Sequence, residues 1–215
     1  MTTQLQVDNV HLNKARASNS KEDCKALYDS WATSYNQDLT DASQNYVAPF
    51  TVAETVLRMN TNPDATILDA GCGTGLVGET LARGGLTAID GLDLSPNMLR
   101  VAAKTGVYRS LTEADLTQPI DRPDNAYDIV TCSGTFTHGH VGPDPALREF
   151  VRIVQMGGLV IATILDAVWV SMGFDTEIER LVAEGLVRVV GIELTDYRRG
   201  WDKARLVILE KTGAA

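Results

Sequence analysis

Hydrophobic positions along this chain change their period repeatedly, and each change predicts an element. From Lys21, Cys24, Leu27, Tyr28, Trp31 and Tyr35 recur at helical spacing on one face. A second helix is predicted from Pro49 to Met59, with Ala53, Val56 and Leu57 inward, and Asn60-Thr61-Asn62-Pro63-Asp64 ends it. Thr66-Ile67-Leu68 is a short apolar run, the pattern of a buried parallel strand. Strands and helices alternate from there. A helix from Leu76 to Ala82 stops at Gly84-Gly85, and a strand covers residues 87–92. Ser95-Pro96 starts the next helix, serine at the cap and proline in the first turn. Strands follow at 106–113 and 127–132, then a helix over 143–154 with Leu147, Phe150, Val151 and Val154 inward. Met156-Gly157-Gly158 turns into a strand from Leu159 to Leu165, and Asp166 to Gly173 reads as a loop or short helix. Phe174, Ile178, Leu181 and Val182 mark a helix ending at Gly185, and two strands, 186–194 and 204–210, come last. Such alternation specifies an α/β fold with a mostly parallel sheet. Residues 1–20 are polar and predict a mobile or loosely docked tail before a single domain over 21–215.

The organising stretch is Ile67 to Gly78, where Gly71, Gly73 and Gly75 stand between the first strand and a helix. Glycine turns the backbone at positive φ and lets a ligand come close. The helix N-terminus beyond offers unpaired N–H groups. Two registers compete. Gly73-Thr74-Gly75-Leu76-Val77-Gly78 fits the dinucleotide fingerprint, and Asp93 follows Gly73 by 20 residues, as its ribose-binding acid would. The alternative is Asp69-Ala70-Gly71-Cys72-Gly73-Thr74-Gly75, an acid before three alternating glycines. Asp69 favours the second register. At a strand end it can hold a ligand ammonium through backbone or water, whereas it would repel a pyrophosphate. In either register Asp93 can accept from both hydroxyls of a ribose.

Composition narrows the partners. The net charge of −9 and pI near 4.8 leave no basic footprint for nucleic acid. Cys24, Cys72 and Cys132 fit neither a disulfide framework nor a zinc spacing, and read as reduced thiols of a cytoplasmic protein. No apolar run reaches membrane-spanning length. Oligomeric state is open between monomer and homodimer.

The acid-and-glycine string resembles the first motif of the class I S-adenosylmethionine (SAM) methyltransferases. The resemblance extends over almost all of the chain after Lys21. Its nearest pattern is the small methyltransferase-like family of the Williams–Beuren chromosomal region, with a Tyr/Trp helix before the glycines and Gly91-Leu92-Asp93-Leu94-Ser95-Pro96-Asn97-Met98-Leu99 after them. It implies a Rossmann-like sheet whose last strand is antiparallel, preceded by a helical lid over residues 21–60. Where the family usually has Lys-Pro-Gly-Gly, this chain has Gln155-Met156-Gly157-Gly158. The resemblance implies SAM as cofactor, with Tyr28, Trp31 and Tyr35 closing over it and Asp69, Gly71, Cys72, Gly73, Thr74 and Gly75 at its amino-acid end. Asp93, Leu94 and Met98 would hold the ribose side, Asp115 and Leu116 the adenine, and Ser133 would lie at the end of the fourth strand.

Transfer from a sulfonium depends chiefly on alignment, and aromatic faces suit the positive sulfur. A hydroxyl acceptor also benefits from a base near neutral pH, for which the candidates are His140 and His138 in Ser133-Gly134-Thr135-Phe136-Thr137-His138-Gly139-His140. His140 is favoured because it lies closer to the family's position. The pair lacks a third ligand at suitable spacing, so no metal is expected. Tyr28, Trp31, Tyr35, Tyr46, Phe136, Trp169, Tyr197 and Trp201 are the available walls for a small, partly apolar acceptor carrying a hydroxyl or amine. The rival readings are a non-catalytic SAM-binding regulator and a NAD-dependent oxidoreductase.

Overall fold

A computed structural model describes residues 21–35, 38, 45–139 and 141–213. The expected tail over residues 1–20 lies outside them. The elements are α1 (Lys21–Trp31), α2 (Ala48–Met59), β1 (Ile67–Ala70), α3 (Leu76–Arg83), β2 (Ile89–Asp93), α4 (Pro96–Thr105), β3 (Ser110–Glu113), β4 (Tyr127–Phe136), α5 (Ala146–Ile153), β5 (Val154–Leu165), α6 (Phe174–Ala183), β6 (Val187–Arg198) and β7 (Asp202–Lys211). One sheet runs in the order β3-β2-β1-β4-β5-β7-β6. The first five strands in that order are parallel, and β7 lies antiparallel between β5 and β6. From β1 the sheet grows one way to β2 and the other way to β4. That reversal opens a crevice beyond the carboxyl ends of the strands.

The unbroken apolar runs are explained by burial on both faces. Ile67, Ile89, Ile129 and Ile161 meet Val52, Val56, Val77 and Leu81 of α2 and α3. Their neighbours Leu68, Val130 and Val160 turn to the opposite face, where Leu147, Phe150, Phe174 and Ile178 of α5 and α6 cover them. Ser95 caps α4 as its sequence predicts, its hydroxyl accepting from Met98 N at 3.1 Å.

Three boundaries differ from the periodicity. β3 is shorter because Gly106, at φ 70°, closes α4 and the segment after it turns inward before pairing begins. β5 starts at Val154, and its register against β4 jumps from Tyr127–Val154 to Ile129–Leu159. The expected glycine turn sits inside that jump, with Gly157 at φ 76°. β6 extends to Arg198 because its ladder to β7 continues through Thr195–Ala204 and Asp196–Lys203 to Arg198–Asp202, where Tyr46 bridges its other side.

Candidate active site

The sheet carries its chemistry at the crevice. Leaving β1, the chain passes Gly71, Gly73 and Gly75 at φ 73°, 53° and 101°, a left-handed sequence that side chains resist. A Cβ on Gly71 would also overlap Thr135 Oγ1 at the end of β4. The loop therefore presses against β4 and leads into α3.

Asp93 ends β2 and holds this loop. Its Oδ2 accepts from Gly73 N at 2.8 Å, and its Oδ1 accepts from Ser95 N at 2.8 Å. Burial pushes its carboxyl up to about 6, against the pull of those two amides. A carboxylate has about four acceptor positions, so two are used in folding and the rest serve the cavity.

That cavity has a volume of about 340 Å³, a size suited to a small organic ligand. Predicted residues Tyr28, Tyr35, Gly71, Gly73, Asp93, Leu94, Met98, Asp115, Leu116 and Ser133 line it. Asp115 lies just past β3, where its Oδ1 accepts from Thr117 N at 3.0 Å. Five further predictions do not reach the surface of the cavity. Trp31 is buried beneath the two tyrosines, its ring stacked on Tyr28 and edge-on to Tyr35, and its Nε1 donates to Asp38 Oδ2 at 2.6 Å. Cys72 and Thr74 are buried, and Gly75 forms the N-cap of α3.

Asp69 is the fifth. It is fully buried, accepting from Tyr108 Oη at 2.7 Å and Thr131 Oγ1 at 3.2 Å. Burial raises its carboxyl to about 6. The Tyr108 ring fills space left empty by Gly78, where a Cβ would come within 2.9 Å of Cε1 and closer still to Cζ and Oη. The last glycine of the fingerprint therefore makes room for a ring, and that ring occupies the acid expected to meet a ligand.

The histidines stand apart. His138 is exposed in a turn and does not line the cavity, although Gly139 and Val141 do. His140 lies outside the described residues. Among the described residues no group of three or more His, Cys, Asp or Glu side chains could hold a metal. Of the aromatic walls, only Tyr28 and Tyr35 face the cavity. Phe136 and Trp169 belong to the core, and Trp201 is exposed at the β6–β7 turn. Tyr46 and Tyr197 pack together at 5.1 Å behind Gly134, whose missing side chain leaves room for the Tyr46 hydroxyl.

The periodicity gave no sign of how α1 attaches. Ser95 Oγ donates to Asp29 Oδ1 at 2.5 Å, and Asn97 Nδ2 donates to Asp29 O at 2.8 Å. Lys25 Nζ donates to Leu94 O at 2.9 Å and to Glu113 Oε1 at 2.6 Å. These ties span β2, α4 and β3, and bring Lys25 to the cavity wall. The available signal was Asp29 and Lys25 beside the aromatic stripe, but nothing in the sequence names their distant partners.

Residues 68–162 match the family model for a methyltransferase domain. Human methyltransferase-like protein 27 is 37% identical over 140 residues, covering 64% of this chain and 56% of that protein. The ubiquinone biosynthesis O-methyltransferase of Sodalis glossinidius (strain morsitans) is 34% identical over 106 residues, covering 46% of this chain and 41% of that protein. The chain thus spans about half the length of these curated relatives. Magnesium protoporphyrin IX methyltransferase from Synechocystis PCC 6803, solved with bound SAH, has the same fold. It aligns with a TM-score of 0.68 at 16% identity, over 90% of this chain and 100% of that one.

Proposed function

We propose that this chain is a class I SAM-dependent methyltransferase, a reading supported by its match to the methyltransferase domain model and by its human relative, and that it moves the methyl group of SAM to a hydroxyl or amine of a small molecule, leaving S-adenosylhomocysteine. The observation that carries this reading is the alignment of the glycine loop, Asp93 and Asp115 along one cavity. The fit to SAM is chemical. Asp93 offers paired acceptors for the ribose hydroxyls, Asp115 an acceptor for the adenine amino group, and Leu94, Met98 and Leu116 the apolar contacts. Gly71 and Gly73 leave the amino-acid end room at the backbone. Asp69 serves one step back, holding Tyr108 under the loop.

When bound, SAM supplies an electrophilic methyl for in-line displacement. The protein's part is to orient the acceptor and exclude water. Tyr28 and Tyr35 give aromatic walls suited to a positive sulfur. His140 or His138, on the loop that brings Gly139 and Val141 to the cavity, takes the proton of a hydroxyl acceptor. The small cavity and the net charge of −9 support a small-molecule acceptor over a nucleic acid. The name of the bacterial O-methyltransferase relative points the same way.

The test uses the full chain, methyl-labelled SAM and a cell extract separated into small molecules, protein and nucleic acid. Label is expected among small molecules. Label confined to a macromolecule overturns the acceptor class, and ligand retention without turnover leaves a binding regulator. His140→Ala or His138→Ala should lower turnover by roughly 10²–10⁴-fold while SAM still binds. Normal turnover in both removes the histidine base.

A further inference from the structure

The sheet ends at β6, which pairs with β7 on one side. Among the described residues its outer side is met only near its end. There Tyr46 bridges Arg198, Val47 N donates to Tyr197 O at 3.1 Å, and Arg199 N donates to Asn45 O at 2.9 Å. Residues 187–195 carry no such cover among the described residues. A bare edge of this length templates the addition of another strand, and proline or charge normally blunts it. This edge has no proline, and its charges between residues 187 and 195, Arg188 and Glu193, are of opposite sign. It presents Val189, Ile192 and Leu194 at 39%, 36% and 59% exposure.

The pairing with β7 assigns these side chains to faces. Val189 lies opposite Leu209 and Ile192 opposite Val207, so both point to the face covered by α5 and α6. Glu193 lies opposite Leu206 and points to the other face, as does Arg188. Val190 is an extra residue between the Val189–Leu209 and Gly191–Ile208 pairs. It shifts the alternation by one. Residues 187, 189, 192 and 194 therefore share one face, and 188, 191 and 193 share the other.

We propose that β6 is the interface with a second copy of this chain, the two strands pairing antiparallel about a two-fold axis between Val190 and Gly191. The slip in alternation selects this register. A one-residue shift in pairing normally sends every side chain to the wrong face. When the slip of one strand faces the slip of the other, every facing pair keeps its side. Val189 then meets Ile192 and Val187 meets Leu194 on one face. Arg188 meets Glu193 on the other, and the two-fold axis makes each pair twice, as an isologous interface requires. Arg188 already pairs with Glu210 at 2.5 Å, and its side chain is 58% exposed, so its remaining N–H groups can reach Glu193 of the second copy. The edge lies beyond β5 and β7 from the cavity, so pairing leaves the mouth open.

The experiment is sedimentation equilibrium of the full chain, with far-UV circular dichroism and SAM titration as controls of folding. The wild-type chain is expected to dimerise. Arg188→Glu and Glu193→Lys each place like charges opposite one another twice, and each should raise the dissociation constant about tenfold. Mixed together, the two variants should form a heterodimer of near wild-type affinity, because Glu at 188 of one then faces Lys at 193 of the other. Arg188→Glu also loses Glu210, so Glu193→Lys and the mixture are the deciding arms. A chain that stays monomeric at every soluble concentration overturns the proposal. So does a dimer unmoved by Glu193→Lys, or a mixture no tighter than its components.

Discussion

Replacing Gly78 by alanine tests how the glycine loop is supported. In an exposed helix the change would be favourable by roughly 0.5–1 kcal/mol, since alanine is the better helix former. Here the new Cβ falls within 2.9 Å of Tyr108 Cε1 and nearer to Cζ and Oη. Either the ring stays or it leaves. If it stays, overpacking costs about 1–3 kcal/mol. If it leaves, the fully buried Asp69 loses the donor now at 2.7 Å. Losing a hydrogen bond to a charged group costs about 1.5–3 kcal/mol. After the helix gain, a net loss of roughly 0.5–2.5 kcal/mol remains, because only one of the two costs is incurred. For a chain of this size that lowers the melting temperature by about 1–10 °C. Differential scanning calorimetry reads it directly. The same change in a Tyr108→Leu background should turn neutral or stabilising. A wild-type background in which Gly78→Ala leaves the melting temperature unchanged or higher would show that Tyr108 yields freely, and the argument for its role would fail.

Asp93→Ala should weaken SAM binding by roughly 1.5–3 kcal/mol, through unmade bonds to the ribose; unchanged affinity in a calorimetric titration would refute the assignment. Asp69 and Asp93 are both held near 6 by burial, so the ligand-free fold takes up protons between about pH 4 and 6 that the unfolded chain does not. Its stability should therefore fall as pH rises through that window. SAM favours the ionised Asp93, so its affinity should drop by up to about tenfold per pH unit below 6, and a flat profile would contradict the ribose contact. Hydrogen exchange in residues 21–35 should slow when SAM is added, and Asp29→Ala should abolish much of that protection; identical exchange with and without ligand would leave α1 as core packing alone.

The parts of this site that could be read from the sequence are those written within a few residues of one another. Strand, glycines and helix from Ile67 to Gly78 announce themselves by period and composition. Asp93 is legible because a strand and a cap bracket it. The aromatic stripe was harder. Tyr28, Trp31 and Tyr35 share a face, and helical spacing says that they cluster without saying which faces a ligand. The contact with Asp38 and the flanking rings draw Trp31 inward and leave the tyrosines at the cavity. Asp69 looked available because its partner, Tyr108, lies 39 residues away and carries no local signal. The tie from Ser95 to Asp29, 66 residues apart, was invisible for the same reason.

The attachments of α1 have a kinetic consequence. Its ties run to Leu94 and Ser95, which line the half of the cavity proposed for adenosine, and to Asn97 and Glu113 beside them. None of those ties runs to the segment after β4, where the acceptor would approach. Under the proposed reaction, a nucleoside that enters past α1 breaks the ties of Lys25 and Asp29. The order then expected is donor first, methylated product next and spent nucleoside last, which product-inhibition kinetics would check.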